Sequence, residues 1–209
     1  MQLGIPAGTS GETMQLDEAF AQLNLVQDFV PVGSSNRPGR RLAVTTITIH
    51  NTDNSNKGAN AAAHARYMKG ADARKRQVSW HFTVDDTSVY QSIPTNEIAW
   101  HTATSKGNNS SIGVEICMNS DLDVSKAYDR AALLAALMAQ RFGLEVPDAM
   151  RQHHDWSGKD CPTVLRHQPN GWEDFLKQVK AKFVALKPVP TVAIKPPKDD
   201  HFSPTVPNG

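Results

Sequence analysis

The most promising residues for chemistry are histidines that lie at the ends of predicted strands. His50 closes a β-branched run, and a 153/154 histidine pair precedes DWSGKDCP, which contains Cys161. A hydrolytic zinc ion needs about three His, Cys or carboxylate ligands and one open position, where the pKa of water falls toward ~7. His50, one histidine of the pair and Cys161 would supply such a set. A lone strand-end histidine is more often structural, so no single residue identifies the site.

Strand and helix patterns alternate around these residues. LAVTTITIH, from Leu42, has six β-branched residues in nine, which predicts a strand buried on both faces and ending at His50. VSWHFTVDD and SVYQSI predict a hairpin, and SSIGVEICMN and residues 149–152 predict further strands. The predicted helices are residues 58–69 ending at Gly70, a helix capped by Ser125 that carries Leu134, Leu137 and Met138 and ends at Gly143, and residues 172–186. The pattern predicts an α/β fold, with a mixed central β-sheet flanked by helices and the zinc site in a groove at the sheet's edge.

Composition divides the chain into three parts. We expect a leader over residues 1–40 with one short helix near 16–25, a catalytic domain over 41–186, and an extended tail over 187–209 that holds six of the thirteen prolines. The N-terminus resembles no signal peptide and no stretch is long and apolar enough to insert in a membrane, so a soluble protein made in the cytoplasm is expected.

Charge and cysteine content limit the choice of partners and compartment. Lys and Arg number 22 against 21 Asp and Glu, which gives no electrostatic reason to expect nucleic acid as a partner. Two cysteines in 209 residues favour a reducing compartment or a metal role. A Cys117–Cys161 disulfide is the alternative, and a buried free thiol is the default for Cys117.

Five motifs occur in an order that we identify with a known family. TIHNT, SWHFTVDD, AWHT, NNSSIGVEIC and HHDWSGKDCP resemble the type 2 N-acetylmuramoyl-L-alanine amidases, which include phage lysozyme-type amidases and are similar to peptidoglycan-recognition proteins. The resemblance covers Leu42 to Phe183. It implies Zn²⁺ as the cofactor, peptidoglycan as the partner, and hydrolysis of the lactyl-L-alanine amide bond at the cell wall after release, as in an endolysin or autolysin.

The resemblance also implies the metal ligands. In the family the second histidine ligand lies eight positions before the third ligand, and counting back from Cys161 gives His153. The implied set is therefore His50, His153 and Cys161. His154 would point to the opposite side if the segment is extended, although a bulge would exchange the two histidines.

Two residues are candidates for catalysis. Glu115, on an otherwise apolar strand, is the predicted proton shuttle between water and the leaving amine, with a salt-bridged strand residue as the alternative. Lys159 matches a family position that steadies the oxyanion, although a lysine in a Ser-Gly loop is by itself most simply a solvated side chain.

Four residues are expected to bind substrate. His101 resembles a position that faces the substrate, and the other three are Asn51, Trp80 and Trp156. Trp100 is a further predicted groove residue, with buried core tryptophans as the alternative. Trp80 stands where relatives carry a tyrosine, which shifts the proton-transfer role to Glu115. His81 is expected to pack in the hairpin and to form local hydrogen bonds.

Three other functions compete with this one. An amidase that recycles soluble anhydromuramyl-peptides tends to have Asp as third ligand, and non-catalytic peptidoglycan-binding modules lose the cysteine. Cys161 therefore favours the wall-degrading enzyme. A structural zinc domain would need four ligands in short paired spacings such as CxxC, and the sequence has no such pair.

Overall fold

The computed structural model describes residues 15–186, which include residues 15–40 of the predicted leader. The start of the leader, residues 1–14, and the Pro-rich tail, residues 187–209, lie outside the described residues. The elements in chain order are α1 Leu16–Gln22, β1 Leu25–Gln27, β2 Thr46–Asn51, α2 Ala61–Met68, α3 Ala71–Arg76, β3 Phe82–Val84, β4 Val89–Gln91, α4 Ser105–Asn108, β5 Ser111–Ile116, α5 Val124–Phe142, β6 Met150–Gln152, α6 His154–Ser157, α7 Thr163–His167 and α8 Gly171–Ala185.

The strands form one six-stranded sheet in the order β1-β4-β3-β5-β2-β6. Only the hairpin pair β3 and β4 is antiparallel, and the other pairs are parallel, so the predicted mixed sheet is confirmed. Strand β2 lies between β5 and β6 and is buried from Ile47 to Asn51, as its β-branched run predicts. Its carboxyl end therefore lies beside the carboxyl ends of two parallel neighbours.

Helices pack against the sheet and complete the core. Helix α5 contacts β2, β3 and β5 and packs along α8, while α2 packs on β3 and β4. The predicted apolar face of α5 is buried, including Leu134, Leu137 and Met138, and the helix ends at Gly143 in the left-handed conformation (φ +61°). The helix begins earlier than predicted, because the side chain of Asp123, and not Ser125, accepts the hydrogen bond of Lys126 N.

Several predicted boundaries are wrong for local reasons. The helix predicted to stop at Gly70 ends at Met68, and Gly70 (φ −80°) instead precedes α3, so residues 61–76 form two consecutive helices. The leader helix ends at Gln22 because the chain then enters β1, which pairs with β4. Within residues 15–186, every helix is too short or too polar to cross a bilayer.

Candidate metal centre and groove

The candidate ligands meet at the carboxyl end of the sheet. His50 is the next-to-last residue of β2, and it lies in register with Glu115 on β5. His153 directly follows β6, the other neighbour of β2, and Cys161 follows the short helix α6. Parallel strands bring their carboxyl ends to one edge of a sheet, which explains why residues more than 100 positions apart converge here.

The three candidate donors are close enough to share one ion. His50 Nδ1 lies 3.1 Å from His153 Nδ1 and 3.7 Å from Cys161 Sγ. One donor atom of each residue lies within 4.8 Å of the other two, and all three side chains are buried. Zinc binds nitrogen at about 2.0–2.1 Å and sulfur at about 2.3 Å, so this separation suits ligands of a single metal. The predicted trio can therefore hold a metal ion.

His101 fixes the orientation of the His50 ring. His101 Nε2 lies 3.2 Å from the carbonyl oxygen of Ser111, and His101 Nδ1 lies 2.9 Å from His50 Nε2. A carbonyl only accepts, so His101 donates from Nε2 and accepts from His50 at Nδ1. This leaves the lone pair of His50 Nδ1 directed at the candidate metal position. Gly113 packs closely against the His101 ring and supports it, because a Cβ at Gly113 would lie 2.7 Å from that ring.

Burial keeps the imidazoles of the cluster neutral. It lowers the pKa of His50 well below its ordinary value and lowers the pKa of His101 to about 3 and of His153 to about 4. Burial also raises the pKa of the Cys161 thiol to about 12. Neutral imidazoles are the form that binds metals, and the thiolate requires a nearby cation to form at neutral pH.

Glu115 is half-buried beside this cluster, with its side chain 14% exposed and its Oε2 atom buried. Its Oε1 lies 3.8 Å from His50 Nδ1, and its Oε2 has no hydrogen bond within residues 15–186. Burial raises the pKa of Glu115 to about 8, although the Lys159 charge opposes that rise. Within residues 15–186 the one ion-pair contact of Glu115 is with the His50 ring, which is neutral, and no Lys or Arg pairs with this carboxyl group.

Lys159 lies at the rim of the site. Its side chain is 55% exposed, and its Nζ lies 3.8 Å from Asp53 Oδ2. The charge nevertheless reaches the cluster, since it helps to lower the pKa of both His50 and His153. Lys159 is thus a solvated lysine and also a neighbour of the candidate metal position.

A groove of about 950 Å³ opens onto the cluster. Six predicted site residues line it: Asn51, Trp80, His101, Glu115, His153 and Lys159. The Asn51 amide is already engaged, because it donates to Tyr128 OH at 2.9 Å and accepts from Val164 N at 3.0 Å. Trp80 is largely buried and stacks on Tyr67, with ring centroids 6.3 Å apart. Both side chains thus shape the groove wall more than they project from it.

The structure does not bring Trp156 into the groove. Its Nε1 donates to Thr48 Oγ1 at 2.9 Å, and a Cβ at Gly107 would lie 2.8 Å from its ring. The tryptophan packs between β2 and α4, and it is absent from the described residues that line the cavity. Trp156 is half-buried and is not one of the fully buried core residues, so its role in substrate binding stays a prediction.

Other predicted details have clear outcomes. His154 lies outside the metal-ligating cluster and starts α6, so the segment is helical where an extended chain was expected. Its Nδ1 lies 3.2 Å from the carbonyl oxygen of Lys159. Both cysteines are free, which excludes the alternative disulfide. His81 forms the predicted local hydrogen bonds, to Glu97 O and from Gly113 N.

Sequence reasoning missed part of the groove. His64, Tyr67, Arg76 and Gln77, from α2 and the end of α3, line the wall beyond Trp80. The sequence predicted only an Ala-rich helix here. His64 and Tyr67 are three residues apart and thus share one helix face, which was the available signal.

Comparison with known proteins agrees with this geometry. Residues 40–164 match the family model described as N-acetylmuramoyl-L-alanine amidase. The chain is 44% identical over 155 residues to N-acetylmuramoyl-L-alanine amidase XlyA of Bacillus subtilis, covering 73% of this chain and 50% of XlyA. It is 37% identical over 182 residues to N-acetylmuramoyl-L-alanine amidase CwlH of the same organism, covering 83% and 70% of the two chains.

The solved structure of the XlyA catalytic domain gives the same result at the level of the fold. It superposes with a TM-score of 0.69 at 43% identity, covering 75% of this chain and 99% of that domain. This chain spans about half the length of full XlyA. The matched region contains the cluster residues His50 and His153, with Cys161 near its end. From motif order, fold and sequence identity together, the chain belongs to the N-acetylmuramoyl-L-alanine amidase family.

Proposed function

We propose that this protein is a zinc-dependent N-acetylmuramoyl-L-alanine amidase that hydrolyses the lactyl-L-alanine amide bond of peptidoglycan. One observation carries the proposal. Two neutral histidines and a cysteine, from three separate segments, converge at an open groove beside the Glu115 carboxyl group, whose buried Oε2 makes no hydrogen bond within residues 15–186. Binding alone does not require a buried carboxyl oxygen without a partner, because its desolvation costs stability.

The donor set suits zinc better than the other common divalent cations. Imidazole and thiolate ligands favour zinc, whereas magnesium and calcium prefer carboxylate, carbonyl and water oxygens. His50, His153 and Cys161 would hold the ion. When bound, zinc supplies a Lewis acid that polarises the amide carbonyl and lowers the pKa of water toward ~7.

The chain's own groups would move the protons. Glu115 is in reach of the cluster, and its Oε2 has no competing hydrogen bond within residues 15–186. A cation held by the cluster would favour the ionised carboxylate, which can accept a proton from the attacking water. The same carboxyl then donates to the nitrogen of the leaving alanine. Lys159, exposed at the groove rim, would lie near the carbonyl oxygen and stabilise its negative charge.

His101 would act through His50 without touching the substrate. The resemblance suggested a substrate-facing histidine, but both ring nitrogens are occupied by His50 and Ser111. We therefore assign His101 as a positioning residue, which holds the His50 ring and its tautomer.

The competing functions lack supporting observations. A non-catalytic binding module would lose the cysteine, which is present and buried against His50. A closed structural site would have a fourth donor, and the cluster within residues 15–186 has three. A recycling amidase tends to carry Asp as the third ligand, where this chain has Cys161. We therefore place the proposed action at the cell wall, with peptidoglycan as the partner, as in an endolysin or autolysin.

The decisive test combines metal analysis with product analysis. The purified protein should hold one zinc ion per chain. Mass spectrometry of digested walls should find glycan strands with intact lactyl groups and released peptides with a free N-terminal alanine. Cleavage within the glycan or within the peptide would overturn the proposed bond, and full activity in protein freed of metal would overturn the zinc mechanism.

A further inference from the structure

Positive charge is concentrated in two segments, although the whole chain is nearly neutral. Residues 33–41 and 61–78 hold eight of the chain's 22 Lys and Arg residues and one of its 21 Asp and Glu residues. We call these eight side chains the basic rim: Arg37, Arg40, Arg41, Arg66, Lys69, Arg74, Lys75 and Arg76. The balanced total therefore conceals a local excess of positive charge.

Hydrogen bonds join the two segments into one surface. Ser35 Oγ donates to the carbonyl oxygen of Arg74 at 2.9 Å. The buried Asn36 side chain donates to the carbonyl oxygens of Met68 at 2.8 Å and Val78 at 3.1 Å. The loop that carries Arg37, Arg40 and Arg41 is thus docked on the helices that carry the other five cations.

Most of the basic rim is not neutralised by the protein itself. Arg37 pairs with Glu97, Lys69 pairs with Asp28, and the exposed Arg76 lies 3.8 Å from Asp72. The remaining five side chains are exposed and make no ion pair within residues 15–186: Arg40, Arg41, Arg66, Arg74 and Lys75. Uncompensated like charges repel each other, so an anion at this surface would relieve an existing cost.

The basic rim begins at the groove. The groove wall includes Tyr67, Arg76, Gln77 and Val78. In α3, Arg74 and Lys75 immediately precede Arg76. A ligand that extends out of the groove past Arg76 would therefore meet the unpaired cations.

We propose that the basic rim binds a phosphodiester polymer attached to the cell wall, of the polyol-phosphate (teichoic acid) class. Six of the chain's ten arginines lie in the rim, and arginine forms bidentate hydrogen bonds with phosphate. Several exposed cations without fixed partners suit a chain of repeated charges better than one carboxylate. The inference rests on the proposed function, because the glycan that brings an amide bond to the groove would also carry the polymer.

The test compares two triple variants that each remove three positive charges. In the rim variant Arg66, Arg74 and Lys75 are changed to glutamine, and none of these side chains lines the groove. In the control variant Lys126, Lys177 and Lys180, on α5 and α8, are changed to glutamine. Binding is measured by sedimentation at 4 °C with walls that carry the polymer and with the same walls stripped by hydrofluoric acid, which cleaves phosphodiesters.

At low salt the rim variant should bind intact walls about tenfold more weakly than wild type. The control variant should bind intact walls like wild type. On stripped walls the rim variant and wild type should bind equally. Soluble poly(glycerol phosphate) should compete with wild type. An equal loss on stripped walls, or competition only by duplex DNA or by phosphatidylglycerol vesicles, would overturn the proposal.

Hydrolysis of a soluble muramyl peptide separates this proposal from the proposed function. Both triple variants should cleave it with wild-type kcat/KM, since the groove is unchanged. If wild type cleaves the peptide but the rim variant binds intact walls normally, the rim proposal fails alone. If wild type does not cleave the peptide, the proposed function fails, and the rim inference fails with it.

Discussion

The two ends of the groove are built in opposite ways. At the cluster end, the side chains of His50, His153 and Cys161 are buried. A hydrogen bond to the buried His101 holds the His50 ring. At the other end, the basic rim exposes long side chains on a loop and two short helices. If both proposals hold, the cluster end would cleave the bond and the basic rim would bind the wall.

That division has an energetic basis. Chemistry requires donors fixed within a fraction of an ångström, and burial with hydrogen bonding provides this at a cost in desolvation. Capture of a polymer needs favourable charge, which exposed arginines supply without a fixed geometry. Substitutions at the cluster should therefore affect turnover by orders of magnitude, and those at the rim should affect affinity modestly.

The adjacent pair His153 and His154 offers the sharpest test of the cluster end. His153→Ala should lose bound zinc and lower kcat/KM at least about 10³-fold, because one ligand of three is removed. His154→Ala should stay within a few-fold of wild type, since that ring lies outside the cluster. Zinc content and release of amino groups from peptidoglycan are the measurements. The reverse pattern would mean that the two histidines exchange roles.

Glu115→Gln should separate proton transfer from metal binding. The amide keeps the shape of the carboxyl but cannot shuttle a proton, so kcat should fall by about 10²–10⁴ while zinc content stays unchanged. The exposed Glu145→Gln is the matched control and should have no effect. An unchanged kcat in Glu115→Gln would assign the proton shuttle to another group.

His101 should influence zinc affinity through His50. His101→Ala removes the acceptor for His50 Nε2–H, and zinc should then bind about 10–100-fold more weakly in a chelator competition assay. His101→Asn, which retains an acceptor, should recover part of that affinity. Equal losses in both variants would indicate that His101 contributes packing alone.

Glu97→Gln tests the support of the rim and should have the smallest effect. Arg37 makes a two-pronged hydrogen bond to Glu97, which lowers the pKa of this carboxyl. The loss at pH 7 should be about 1–2 kcal/mol of unfolding free energy, without loss of zinc.

The pH dependence of that loss follows from the direction of the shift. A lowered folded-state pKa stabilises the protein above the unfolded pKa of about 4.3, and this contribution disappears as the pH falls through the folded value. The stability gap between wild type and Glu97→Gln should therefore be constant from pH 7 to pH 5 and shrink below about pH 4. A gap that widens in acid would contradict the role assigned to this pair.

The sequence predicted the chemistry of the site better than its surroundings. The β-branched run before His50 identified β2, because that signal is local. His153 was chosen over His154 from the spacing that the family resemblance implies. The link from His101 to His50 was not predictable, since it depends on the pairing of β2 with β5 and on the packing of His101 against Gly113. The contact of Trp156 in α6 with Thr48 was not predictable either, because it joins residues 108 positions apart.

The location of positive charge was also not predictable from the total counts of charged residues. A balanced count of charges gave no reason to expect an anionic partner. In the structure, residues 33–41 dock on α3 through Ser35 and on Met68 and Val78 through Asn36, which concentrates positive charge beside the groove. Only the tertiary structure brings these segments together. The break at Gly70 was likewise missed, because a glycine after an Ala-rich run can end one helix or precede the next.

The pairing of β2 with β6 determines when, during synthesis of the chain, this edge of the sheet can form. Ile47 lies in register with Met150, so β2 can pair with β6 only after residue 150 has been synthesised. His50 is therefore made more than 100 residues before His153 and Cys161. A product that ended before residue 153 would lack two of the three donors of the candidate metal cluster.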